Sequence, residues 1–204
     1  ILHEIASCFR DYNPDTSSYQ NEYEEAYFKE IKEYRDVEEL KTFTNGKNTE
    51  LTEKFLAREK VTAVIHSLPP QQEILWILGA DTIILKEGKI FGKPDSRAQA
   101  EAFLREFSGK THQVITSVVL YNGRKKTFVS KNAVTKVTFS ELSDKEINWY
   151  LDTEEWHGAA GGYRIQSLAS CFIKSIEGTQ SCVTGLPIFE LYDMFKEQGY
   201  SLLE

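Results

Sequence analysis

Leu78-Gly79-Ala80-Asp81-Thr82-Ile83-Ile84-Leu85, continued by Gly88-Lys89-Ile90-Phe91-Gly92-Lys93-Pro94, is the stretch on which the fold turns. A short apolar run, Ile74 to Leu78, leads into a lone carboxylate, and a second run, Ile83 to Leu85, leaves it. Isoleucine-rich runs of this length read as buried strands. That predicts a pair of strands around Asp81. A carboxylate between buried strands is expensive unless a cation, a donor or water meets it. A strand-end Asp in a satisfied turn is the plain alternative. Gly79 and Ala80 are small, so something is free to approach the backbone there.

Helices and strands follow outward from this centre. Thr49 to Ser67 reads as a helix with Leu51, Phe55, Leu56 and Ala63 on one broad side, Thr49 as its cap and Pro69-Pro70 as its end. After Pro94, Asp95 or Ser96 caps a second helix. Its residues Ala100, Phe103, Leu104 and Phe107 fall at i, i+3, i+4 and i+7, and Gly109 stops it. Gln113 to Tyr121 alternates as a strand, Asn122-Gly123 signals a hairpin, and Lys126 to Phe139 returns. Ser143 and Glu146 have capping-box spacing, opening a short helix that turns Ile147, Tyr150 and Leu151 inward. Glu155 to Arg164 is a Gly-rich loop, and Cys171 to Ile176 a strand. Pro187 starts a last helix whose apolar face is Ile188, Leu191, Tyr192 and Phe195. Ile1 to Asp15 reads as a helix end and a short strand. Residues 17–48 form an acidic, Tyr-rich insert with Tyr19, Tyr23 and Tyr27 at helical spacing. Elements in this order predict an α/β domain with a mixed, twisted sheet flanked by helices, one domain over residues 1–204.

The composition excludes several classes. A net charge of −7 argues against a general binder of DNA or RNA polymers, which needs a basic surface. It leaves room for a nucleotide substrate, for which a few local cations suffice. The three cysteines have no paired spacing and imply neither a disulfide framework nor a zinc site, so a reducing cytoplasm is the simplest expectation. No apolar run reaches the roughly 20 residues of a spanning helix, so no membrane partner is expected.

The ordered motifs resemble a family. Gly79-Ala80-Asp81-Thr82, the Gly-x-Ile-x-Gly-Lys-Pro segment at 88–94, and Ser108-Gly109-x-x-His112-x-Val114-x-Thr116 are similar to the core of Maf-like proteins. These are nucleoside triphosphate pyrophosphatases. The resemblance continues through Glu155-Trp156-His157-Gly158-Ala159-Ala160-Gly161-Gly162-Tyr163-Arg164-Ile165-Gln166 and Val183-Thr184-Gly185-Leu186-Pro187. It implies an elongated, two-lobed ITPase-like fold with a central cleft, frequently homodimeric, and a divalent metal, Mg2+ or Mn2+. It implies hydrolysis of a nucleoside triphosphate between the α and β phosphates. Ala80-Asp81-Thr82 resembles the dTTP/UTP branch, which removes excess or non-canonical nucleotides. By the same resemblance Asp81 is the catalytic base and metal carboxylate, while Lys60, Lys93 and Gln166 bind substrate. These residue types suit the chemistry. Magnesium takes oxygen ligands, a lysine offers a point charge to phosphate, and an amide both donates and accepts. His112 matches a family histidine read here as structural.

The sequence also departs from the family pattern. No Ser-x-Arg-Arg is found in Ile1 to Arg10, and the motif is expected to precede Ile1. The family's acidic residue near Ser17 or Ser18 is missing. Its lysine is Ala159, Thr-Gly is Thr116-Ser117, and an Asn is Cys182. A second reading follows, a catalytically impaired Maf-like protein that binds nucleotide or a partner in cell-division control.

Overall fold

The computed structural model describes residues 49–201. Its elements run α1 (Thr49–Ser67), β1 (Trp76–Lys86), β2 (Lys89–Phe91), α2 (Arg97–Phe107), β3 (Thr111–Asn122), β4 (Thr127–Phe139), α3 (Asp144–Asp152), two 3-10 turns (Ala160–Gly162 and Leu168–Phe172), β5 (Ile173–Glu177), α4 (Gln180–Thr184) and α5 (Ile188–Glu197). The expected helix end and strand in 1–15 and the insert at 17–48 lie outside the described residues. The strands form one sheet in the order β2-β1-β3-β4-β5. Every pairing among the described residues is antiparallel, so this part of the sheet carries no parallel strand. Two direct hairpins account for much of that pattern. Glu87 and Gly88 both take positive φ, 51° and 78°, which is the twist a two-residue hairpin needs. At the other, the Asn122 carboxamide oxygen accepts from Arg124 N and Lys125 N, both at 3.1 Å, closing the turn into β4.

The largest departure from expectation concerns the opening stretch. It holds one continuous strand of eleven residues, not two strands broken at a turn. Asp81 sits in mid-strand opposite Ser117 of β3. Ladder hydrogen bonds to β3 carry the backbone straight through it, so no turn is needed to satisfy the peptide groups.

Successive side chains of β1 face opposite sides of the sheet. One face packs on α1, where Ala57 and Val61 are buried against Val119, with Ile65, Ile77 and Tyr121 alongside. Of the expected helix face, Leu56 and Ala63 are only half-buried, and the side chains of Leu51 and Phe55 lie outside the described residues. The stripe of Ala57 and Val61 packs instead because Gly79 lies beneath it. A Cβ there would come within 2.5 Å of Val61 Cγ2 and 2.7 Å of the Ala57 carbonyl oxygen. What approaches the strand at Gly79 is therefore helix α1 itself.

The opposite face carries the main core. Ala100, Phe103, Leu104 and Phe107 of α2 are all buried, as their spacing required, against Ile84, Val114, Val137 and Phe139. Ser96 caps α2 by accepting from Gln99 N at 3.2 Å. The capping box of α3 is complete, and Ile147, Tyr150 and Leu151 are buried. On α5 the buried residue is Met194, with Leu191 and Phe195 packed against the same cluster as Val118 and Leu120. Ile188 is 53% exposed, so the apolar face starts later than its spacing suggested. Pro187 is the cap of α5 and Ile188 its first residue. β5 starts at Ile173 because Leu168–Phe172 closes as a 3-10 turn first. Among the described residues no helix is long and apolar enough to cross a membrane.

Candidate active site

β2 pairs with β1 only from Ile84 to Lys86. Beside Ala80, Asp81 and Thr82 no strand among the described residues borders that edge. There the strand opens into a cleft of about 260 Å3, and Lys60, Asp81, Lys93 and Gln166 all line it. Four residues spread over more than a hundred positions of sequence are thus brought to one place. Thr82, Arg164 and Gly185 join them.

Lys60 is positioned by the packing of α1. It precedes Val61, whose side chain rests over Gly79, and so its amine lands at the next two strand residues. Lys60 Nζ donates to the Ala80 carbonyl oxygen at 3.0 Å and to the Asp81 carboxylate. The Asp81 side chain is 21% exposed and Lys60 41%, so the pair faces the cleft and is not sealed in the core. This answers the cost of a carboxylate in an apolar strand: a cation meets it.

Lys93 is exposed at the end of β2, while the following Pro94 is buried. The Gly-rich loop holds this corner. Gly161 N donates to the Gly92 carbonyl oxygen at 2.8 Å. Gly161 has φ of 67°, and a Cβ on it would meet Ile84 Cδ1 at 2.4 Å. Only glycine combines that backbone conformation with so close an approach. The same loop carries Gln166, which is exposed at the cleft. Arg164 braces the loop from within, its guanidinium donating to the carbonyls of Glu155 and His157.

The loop is anchored to the sheet by Tyr163. Its hydroxyl lies 2.7 Å from His112 Nε2, both residues buried. Burial, with the nearby Lys86 ammonium second, pushes the His112 pKa down to about 4. The imidazole is therefore neutral at ordinary pH. Its Nδ1 is buried without a hydrogen-bond partner among the described residues. Burial likewise pushes the Tyr163 phenol well above its usual value. Tyr163 lines the cleft, but its hydroxyl is engaged with His112, and the pair holds the loop against β3.

The far wall is α4 and Gly185. Thr82 Oγ1 lies 2.9 Å from Thr116 Oγ1, and the Thr116 hydroxyl donates to the Cys182 carbonyl at 2.7 Å. Cys182 is buried between strands, its thiol pushed up by burial and 3.4 Å from the Ala133 carbonyl oxygen. Thr116, which keeps the family's threonine, is therefore bonded to the backbone of Cys182, a position that departs from the family pattern. Ala159, where the family has a lysine, is buried at the cleft wall. Sequence reasoning read Thr82 only as part of the Ala80-Asp81-Thr82 likeness to the dTTP/UTP branch and assigned Gly185 no role, although both line the cleft.

Among the described residues no group of three or more His, Cys, Asp and Glu could hold a metal. Asp81 is the one carboxylate among the described residues lining the cleft. That donor set fits a magnesium ion carried largely by substrate phosphates and water, which needs only one or two protein carboxylates.

The family model for Maf-like protein matches residues 21–198. A dTTP/UTP pyrophosphatase of Treponema denticola is 37% identical over 175 residues, 78% of this chain and 86% of that protein. One from Pyrococcus abyssi is 39% identical over 170 residues, 83% and 86% of the two chains. One from Hahella chejuensis is 42% identical over 149 residues, 72% of each. With the match running through β1, the Gly-Lys-Pro corner and the Gly-rich loop that together build the cleft, this chain belongs to the Maf-like protein family.

Proposed function

We propose that this protein hydrolyses a nucleoside triphosphate of the dTTP/UTP type, releasing the monophosphate and pyrophosphate. The observation that carries the reading is the meeting of Asp81, Lys60 and Lys93 in one cleft, in a chain whose relatives are named dTTP/UTP pyrophosphatases. Hydrolysis of a phosphoanhydride needs charge neutralisation on the phosphates and a group to take a proton from the attacking water. Asp81 is that base, and Lys60, bonded to its carboxylate, fixes its orientation. Lys93, held out by Pro94, presents a point charge to the phosphate chain. Gln166 lies on the opposite loop and bonds the nucleoside or a phosphate oxygen. A bound magnesium ion, held by Asp81 and the phosphates, would neutralise charge on the bridging oxygens. The role that fits is removal of excess or non-canonical pyrimidine nucleotides in the cytoplasm.

The test is pyrophosphate release by the full-length protein with magnesium, from dTTP, UTP, CTP and 7-methyl-GTP. Release from dTTP or UTP is expected. Nucleotide binding with no release from any of them would replace this reading by the impaired one, to which the alanine at 159 points. Lys93→Ala should weaken triphosphate binding about tenfold more than monophosphate binding, the scale of one charge-assisted hydrogen bond. Titration calorimetry with UTP and UMP analogues checks it, and equal weakening of the two removes Lys93 from the phosphate site.

A further inference from the structure

Thr116 does not reach the cleft, yet it governs a group that does. It is fully buried, so no water competes for its hydroxyl. Two oxygens lie against it, the Cys182 carbonyl at 2.7 Å and Thr82 Oγ1 at 2.9 Å. A hydroxyl has one hydrogen, and a carbonyl can only accept. An oxygen pair at 2.7 Å needs a hydrogen between them. The Thr116 hydrogen therefore goes to Cys182. The Thr82 contact must then use the Thr82 hydrogen. The chain runs Thr82 to Thr116 to Cys182 and has one direction. Thr82, which lines the cleft, faces it with lone pairs alone.

Such an oxygen is a poor neighbour for a phosphate, which also accepts. It suits a ligand N–H. Its surroundings agree: Ile84, Val114, Val183 and Ala160, all apolar, line the cleft with it. Asp81 and Lys60 meet on the other face of the strand, because neighbouring residues of β1 point oppositely. The apolar residues around Thr82 offer a surface on which a flat base ring can rest, away from the Asp81–Lys60 pair. Uracil and thymine present N3–H there as a donor, whereas cytosine presents an N3 lone pair.

We propose that Thr116 is a positioning residue that holds Thr82 as a hydrogen-bond acceptor and thereby selects uracil or thymine over cytosine. The proposal rests on the nucleotide reading above but not on turnover, so it is tested by binding. The probes are the α,β-methylene analogues of UTP and CTP, with magnesium, on the full-length protein. The wild type should prefer the UTP analogue. In Thr116→Val the Thr82 hydroxyl is freed to donate, so the preference should shrink about tenfold, the CTP analogue gaining while the UTP analogue loses. Loosened packing alone would weaken both. Thr116→Ser keeps the hydroxyl and should keep the preference. The proposal is overturned by an unchanged preference in folded Thr116→Val, by equal loss in Thr116→Ser, or by no preference in the wild type. Should Thr116→Val not fold, the wild type decides. An N3-methylated UTP analogue should bind at least about tenfold more weakly than its parent, and equal binding overturns the idea. Absent pyrophosphate release with the preference intact sinks the hydrolytic reading alone; release with an unaltered preference in Thr116→Val sinks this one alone.

Discussion

Asp81→Asn should lower pyrophosphate release about a thousandfold, the middle of the range for a lost general base, while the protein stays folded. A thousandfold corresponds to about 4 kcal/mol of transition-state stabilisation. The two effects separate because of where Asp81 sits. Its backbone is held by the β1–β3 ladder, which the substitution leaves untouched. The Asn oxygen still accepts from Lys60, and the ion pair that is lost is partly exposed. Pairs of that kind contribute about 0–1 kcal/mol. Stability should therefore fall by no more than about 1 kcal/mol, while the group that takes the proton is gone. Steady-state kinetics beside a thermal melt checks both halves. Turnover within tenfold of the wild type would remove Asp81 from the chemistry.

Stability should fall as pH drops from about 6.5 to about 4, and His112 should be a principal cause. Its folded pKa of about 4 lies below the ordinary value of 6.5, chiefly because burial disfavours the charged ring. Between those values the unfolded chain binds a proton that the folded one refuses. Unfolding free energy then rises with pH across the window. The contribution is complete above 6.5, is lost on the way down, and levels off below the folded pKa. Its size is on the order of 3 kcal/mol at about 1.4 kcal/mol per pKa unit. Carboxylates titrate there too, so the comparison is with His112→Gln. Gln keeps a polar atom near the Tyr163 hydroxyl and cannot ionise in this range. Urea unfolding at pH 4.5, 5.5 and 6.5 should show a shallower slope in the variant. Identical slopes would mean that His112 does not stay neutral in the folded protein.

Local order was legible in the residues themselves. The spacing of Ala100, Phe103, Leu104 and Phe107 named the buried face of α2, because a helix repeats its faces on a fixed period whatever it packs against. Ser143 and Glu146 announced the start of α3, because a capping box is closed within four residues. The motifs around Asp81, Lys93 and Gln166 pointed to the residues that line the cleft. Tertiary structure alone decided the rest. The break expected at Asp81 vanished because β3 supplies the backbone partners from thirty-odd residues away. The face of α1 was chosen by the absence of a side chain at Gly79, which no helical period within α1 could reveal. The same contact delivers Lys60 to Asp81. Thr116, a matched motif residue, and Cys182, a departure from the pattern, stood apart in the sequence until a hydrogen bond joined them behind Thr82. Periodicity and capping are set by neighbours along the chain. Charge pairing, close approach and the direction of a hydroxyl depend on distances across it, and those exist only once the sheet has formed.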